Sequence, residues 1–194
     1  MDYYKLLTSA TLKVLGIFKN ERLYFNQIAG LTKMRSRSNL ISTLRKLAKA
    51  NLLKEEKTKR NTFYSLNYDN GTAIALLQLL CTFKLYNLPF EHRKAIEETI
   101  QRTLPFIAFL FGSVAKSMFT KESDIDLLLI YTDQGDVKLM QTAKNIGQKY
   151  GVTINPMTIN VKELHHPSDS LKHILETGYP VAGHVQFYDI YKKI

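Results

Sequence analysis

Apolar residues recur at helical spacing through residues 3–18, where Leu6, Leu7, Ala10, Val14, Leu15 and Phe18 line one side and Thr and Lys the other. This pattern predicts an amphipathic helix ending at Asn20 and Glu21. Leu23, Tyr24 and Phe25 then lead to Asn26, an expected N-cap for a short helix to Leu31. After a basic turn over 32–36, Ser36 or Ser38 can cap a third helix reaching Ala50. Leu40, Ile41, Leu44, Leu47 and Ala48 form its apolar face, and Asn39, Ser42, Thr43, Lys46 and Lys49 its polar face. The period then changes to that of strands over 52–56 and 62–66, joined by the charged turn Lys57, Thr58, Lys59, Arg60, Asn61. Asp69-Asn70-Gly71 is a turn and the expected linker, so a first domain spans 1–70.

Residues 72–86 are apolar nearly all round, which predicts a buried helix that connects domains or forms a dimer over 71–88. Pro89 opens a polar helix over 90–103, and Pro105 precedes a strand over 106–111 that stops at Gly112. A second apolar run over 125–131 predicts another strand, followed by a turn at 133–135, a helix over 137–150 and a third strand over 151–160. Leu139, Met140, Ala143 and Ile146 are the expected packing residues of that helix, and 163–166 and 168–176 are expected to be helical. The predicted class is α+β, with a mixed sheet and flanking helices over 89–194.

Charge changes this picture by separating the two halves. The chain of 194 residues has a net charge of +10. Residues 1–70 hold 14 Lys and Arg against 5 Asp and Glu, and the remainder holds 13 against 12. A basic partner surface is therefore expected in the first domain. The single cysteine, Cys81, excludes an internal disulfide framework and is expected to be a buried thiol in a reducing, cytoplasmic setting. The first residues lack a signal-peptide pattern, and the apolar stretch 73–80 is far shorter than the ~20 residues that span a bilayer, so no membrane partner is expected.

The candidate chemistry lies between the two apolar runs of the second half. Asp124 and Asp126 stand two apart at the start of the second strand, so its two-residue period aims both carboxylates to one side and Ile125, Leu127 and Leu129 to the other. Paired carboxylates on a rigid strand are costly unless a cation neutralises them. Mg²⁺ commonly takes one or two carboxylates together with substrate phosphates, and the Gly112-Ser113 turn can offer N–H groups and a hydroxyl to a phosphate. His165 and His166 are adjacent rather than four apart, so they are not expected to bind a metal.

Gly112-Ser113, ten residues, then Asp124-Ile125-Asp126 between two apolar strands resembles the signature of the DNA polymerase beta-like nucleotidyltransferase superfamily, most of all its minimal nucleotidyltransferases. The resemblance covers about 89 to the end, including the terminal E-T-G-Y-P-V-A-G-H-V-Q-F-Y. It implies that Gly112, Ser113 and Lys116 bind the nucleotide, and that Asp124 and Asp126 are catalytic and hold Mg²⁺ or Mn²⁺ with a nucleoside triphosphate such as ATP. Where relatives carry Arg-Gly-Glu, this chain has Lys116-Ser117-Met118, and the third carboxylate position falls on Asn155. An amide can ligate a metal through its oxygen but is a poor general base.

The three helices and basic hairpin of about 3–68 resemble the winged helix-turn-helix domains of prokaryotic regulators. That resemblance implies double-stranded DNA as a partner, with the third helix in the major groove and the hairpin on the backbone. The expected contact residues are Arg37, Asn39, Ser42, Thr43, Lys46 and Lys49 on the helix, and Lys57, Lys59 and Arg60 on the hairpin turn. The combined expectation is a homodimeric DNA-binding regulator whose second domain binds Mg²⁺ and a nucleoside triphosphate and transfers a nucleotide to a protein hydroxyl, as in antitoxins acting on HEPN-family partners. The alternatives are a non-enzymatic regulator whose second domain senses a ligand or dimerises, and an RNA or small-molecule nucleotidyltransferase.

Overall fold

The computed structural model describes residues 8–18, 21–116, 123–133 and 137–193. Residues 3–7 of the expected first helix and part of the 133–135 turn lie outside them. Backbone contacts divide the chain into two units, Met1–Leu80 and Cys81–Ile194.

The first unit begins with α1 (Ser9–Leu15), capped by Thr8, whose hydroxyl accepts from the Thr11 N–H at 3.2 Å. Its Val14 and Leu15 are buried with Leu40, Leu44 and Leu47 of α3 (Arg37–Lys49), and the two helices pack together. Between them, β1 (Leu23–Tyr24) runs straight into α2 (Phe25–Thr32). Asn26 is thus inside the helix rather than at its cap. Tyr24 takes the cap position because strand pairing holds it extended, and its N–H donates to Gln27 Oε1 at 3.0 Å.

Ser36 caps α3, accepting from the Asn39 N–H at 3.2 Å. Ala50 caps the end of the helix, and Asn51, with φ of 57°, reverses the chain into β2 (Leu53–Lys57) and β3 (Thr62–Leu66). The hairpin starts one residue later than expected because Asn51 and Leu52 are spent on this reversal, which Asn67 and Asn70 pin by donating to Asn51 O at 2.9 and 3.0 Å. The sheet is antiparallel in the order β1-β3-β2.

Helix α4 (Gly71–Tyr86) runs through the boundary between the units. Ala73, Leu76, Leu77, Cys81 and Leu85 are buried, but Phe83 is 47% and Tyr86 59% exposed, so the burial expected all round the helix is not met at its second half among the described residues. Among the described residues no helix is long and apolar enough to cross a membrane.

The second unit is built on four strands in the order β6-β5-β4-β7. α5 (Phe90–Thr103) leads into β4 (Ile107–Phe111), and a short turn of helix, α6 (Gly112–Ala115), precedes β5 (Ile125–Tyr131). α7 (Val137–Tyr150) then connects β5 to its parallel neighbour β6 (Ile154–Asn160). Residues 151–153, expected in that strand, instead close α7: Gly151 has φ of 70°, and the Val152 N–H donates to Gly147 O at 3.0 Å. A 3-10 turn (Val161–His165), α8 (Asp169–Thr177), β7 (Tyr179–Ala182) antiparallel to β4, and α9 (His184–Tyr191) complete the unit.

Ile125 and Leu127 through Ile130 are all fully buried, so both faces of the sheet are covered. Ala95 and Ile96 of α5 and Ala143 and Ile146 of α7 join the core cluster that holds Ala108, Leu110, Ile125, Leu127, Leu129 and Ile154. Phe109 packs instead on Phe187 of α9, with ring centres 5.0 Å apart. α9 was not expected, although its buried Phe187, Tyr188 and Tyr191 stand at helical spacing.

Candidate functional site

The end of β4 and the start of β5 meet at one point because Phe111 pairs with Asp126. Gly112 has φ of +72° and turns the chain into α6, where Val114 and Ala115 are buried anchors and Ser113 and Lys116 are exposed. A Cβ at residue 112 would overlap the Asp126 carboxylate, so only glycine admits both the left-handed turn and the close approach.

On the other side, parallel pairing of β5 with β6 sets Asn155 opposite Asp126. Asn155 Nδ2 donates to Asp126 Oδ1 at 3.2 Å and to Asp124 Oδ2 at 3.4 Å. The two carboxylates therefore converge within reach of one amide. The structure brings together Asp124, Asp126 and Asn155 beside Gly112, with Ser113 next along the turn. Asp124 and Asn155 are exposed, and Asp126 is half-buried.

Two adjacent carboxylates that share, among the described residues, an amide dipole favour a bound cation. The donor set fits Mg²⁺ or Mn²⁺: two carboxylates, plus the amide oxygen of Asn155 once its side chain is turned over. Among the described residues no group of three or more His, Cys, Asp and Glu gathers anywhere. A cation here would complete its shell with water and substrate oxygens, as Mg²⁺ does at phosphate sites.

The expected DNA-contact residues divide by exposure. Arg37, Asn39, Ser42, Lys46 and Lys49 are exposed on α3, and Lys57, Lys59 and Arg60 are exposed at the hairpin end. Thr43 is not available for contact: it is 4% exposed, and its hydroxyl donates to Asn39 O at 2.8 Å. That bond to the preceding helical turn lets a polar residue type face the core. Arg37 lies over the Phe25 ring at 4.9 Å, and Lys57 pairs with Glu55 at 3.3 Å. Arg45, missing from the expected set, lines a shallow groove of about 480 Å³ with Ser38, Ile41, Ser42, Lys46 and Lys49. Its spacing from Ser42 and Lys49, three and four residues, is the helical signal that marks it.

Residues 94–183 match the family model described as polymerase beta, nucleotidyltransferase, a span that contains Gly112, Ser113, Asp124, Asp126 and Asn155. No curated protein matches the chain. Among solved structures, the chain is similar to a toxin-antitoxin crystallised with AMP-PNP at 18% identity and a TM-score of 0.42, covering 54% of this chain and 82% of that one. It is also similar to a mutant of the toxin-antitoxin MntA-HpeT at 15% identity and a TM-score of 0.39, covering 50% of this chain and 77% of that one.

Proposed function

We propose that the second unit binds a nucleoside triphosphate, ATP in the first instance, with Mg²⁺ or Mn²⁺, and transfers its nucleotide to a protein hydroxyl. The observation that carries this reading is the convergence of Asp124, Asp126 and Asn155 beside the Gly112-Ser113 turn. Asp124 and Asp126 hold the cation. The Ser113 hydroxyl, the N–H groups at the start of α6 and the Lys116 ammonium bind phosphate oxygens. A bound cation would offset the charge that develops as the hydroxyl oxygen bonds to the α-phosphorus and pyrophosphate leaves.

Asn155 has no basic atom with which to take a proton from the attacking hydroxyl, and a missing general base typically costs about 10² to 10⁴-fold. Transfer is therefore slow while binding persists. The first unit is a winged helix that binds duplex DNA through α3 and the hairpin turn, which makes the whole chain a DNA-binding regulator, of antitoxin type where the acceptor is a partner protein.

The test is incubation with α-labelled ATP, Mg²⁺ or Mn²⁺ and cell lysate. Label transfer is expected to be weak for the natural chain, absent in the double variant Asp124→Ala, Asp126→Ala, and stronger in Asn155→Asp. A second reading is favoured by the Asn155 amide bonded to both carboxylates: a site that binds the nucleotide without transferring it and reports it to the DNA-binding unit. Metal-dependent ATP binding with no label transfer in Asn155→Asp would select this reading. No metal-dependent binding at all would reject both.

A further inference from the structure

The two carboxylates are held by different means. Asp126 is fixed within the sheet, paired with Phe111 on one side and Asn155 on the other. Asp124 lies one residue before β5 begins, and the peptide groups on either side of it are tied by two separate hydrogen bonds. The Ile125 N–H donates to Thr153 O at 2.8 Å. The Ser123 carbonyl meets Nε2 of His92 at 3.0 Å. A carbonyl oxygen only accepts, so the imidazole presents Nε2–H there. His92 is 2% exposed in the first turn of α5, a place where a polar ring is costly to bury without a partner of this kind.

We propose that His92 is a positioning residue for the cation and nucleotide site, acting through the Ser123 carbonyl to set the direction of the Asp124 carboxylate. The inference rests on the nucleotide-binding reading above, and adds to it a device on a helix that contributes no group to the site itself. Polar groups that orient a metal ligand from behind typically matter by about 10- to 100-fold in metal affinity. His92 reaches Asp124 through one peptide unit, so Asp126 is left in place when the bond is lost.

The experiment uses the full chain with Mn²⁺ and a non-hydrolysable ATP analogue, with bound Mn²⁺ read by electron paramagnetic resonance. His92→Leu is expected to weaken Mn²⁺ binding about 10- to 100-fold, and His92→Gln, whose amide can donate in place of Nε2–H, to restore most of it. In an Asp124→Ala background His92→Leu is expected to add little, because the two changes act on the same ligand. Equal Mn²⁺ affinity in the natural chain and His92→Leu would overturn the proposal, as would full additivity with Asp124→Ala.

A second readout does not depend on nucleotide binding. Amide chemical shifts in the ¹H–¹⁵N spectrum of His92→Leu are expected to change at Asp124 and Ile125 and to stay put at Asp126. Changes spread evenly through β4 and β5 would mark His92 as a packing residue and overturn the proposal. Failure of the natural chain to bind Mn²⁺ with the analogue would instead overturn the nucleotide-binding reading, and the amide shifts would still decide the role of His92.

Discussion

Gly112 joins backbone geometry to charge placement at a single residue. Its positive φ strains any other side chain by about 1–3 kcal/mol, and a methyl group there would also displace the Asp126 carboxylate. Gly112→Ala is expected to lower the thermal midpoint and to abolish metal-dependent ATP binding; in an Asp126→Ala background, where the carboxylate is gone, the further loss of stability should shrink to the strain alone. Calorimetry of the four chains checks it. The sequence made this corner legible because the spacing of two places Asp124 and Asp126 on one side, and β5 and β6 then pair Asn155 with Asp126. Thr43 was misread for the opposite reason: residue type suggests a polar face, but a threonine that bonds the carbonyl four residues back can be buried. His92 carried no sequence signal, since its partner is the main chain of a residue 31 positions away.

At the scale of elements, α5 and α7 are tied by Glu98, whose carboxylate accepts from Lys149 Nζ at 2.6 Å and from the Tyr150 hydroxyl at 2.7 Å. These two hydrogen bonds, with Lys149 first, hold the Glu98 carboxyl below the usual glutamate range. A group whose pKa is lowered by folding contributes stability above its unfolded value and loses it as pH falls through its folded value. The second unit should therefore weaken with acid below the ordinary glutamate range, and Glu98→Gln should flatten that part of a plot of thermal midpoint against pH. α5 and α7 were legible from Pro89, which opens the first, and from the apolar period of the second. α9 was not, although its Phe187, Tyr188 and Tyr191 fall on one helical stripe, because only about two turns of helix follow β7 and their apolar face is short. On the hairpin, Lys57, Lys59 and Arg60 stand exposed, so replacing all three with Ala should weaken duplex DNA binding across sequences. The slope of log affinity against log salt should fall by about one per lost phosphate contact, as fluorescence anisotropy over a salt series would record.

For the molecule as a whole, charge divides with the units: the excess of Lys and Arg lies in Met1–Leu80, whereas Cys81–Ile194 is nearly balanced, and the proposal of a polyanionic partner for the first unit rests on that division. We propose that the exposed aromatics Phe83, Tyr86 and Phe90, at the end of α4 and the start of α5, meet a second copy of the chain. Sedimentation at micromolar concentration is expected to give a dimer, and Phe83→Glu with Tyr86→Glu a monomer; a monomeric natural chain would discard the proposal. The strand order has a further consequence, one of timing. β5 is completed by a parallel neighbour that follows a whole helix later, and β4 by a strand that begins at Tyr179. Pairings that distant in sequence form late, because loop closure precedes any contact that rewards it. During synthesis the carboxylate corner is thus assembled only once α7 and β6 have followed β5, and the α3 and hairpin surface, built from neighbours in sequence, can fold before it.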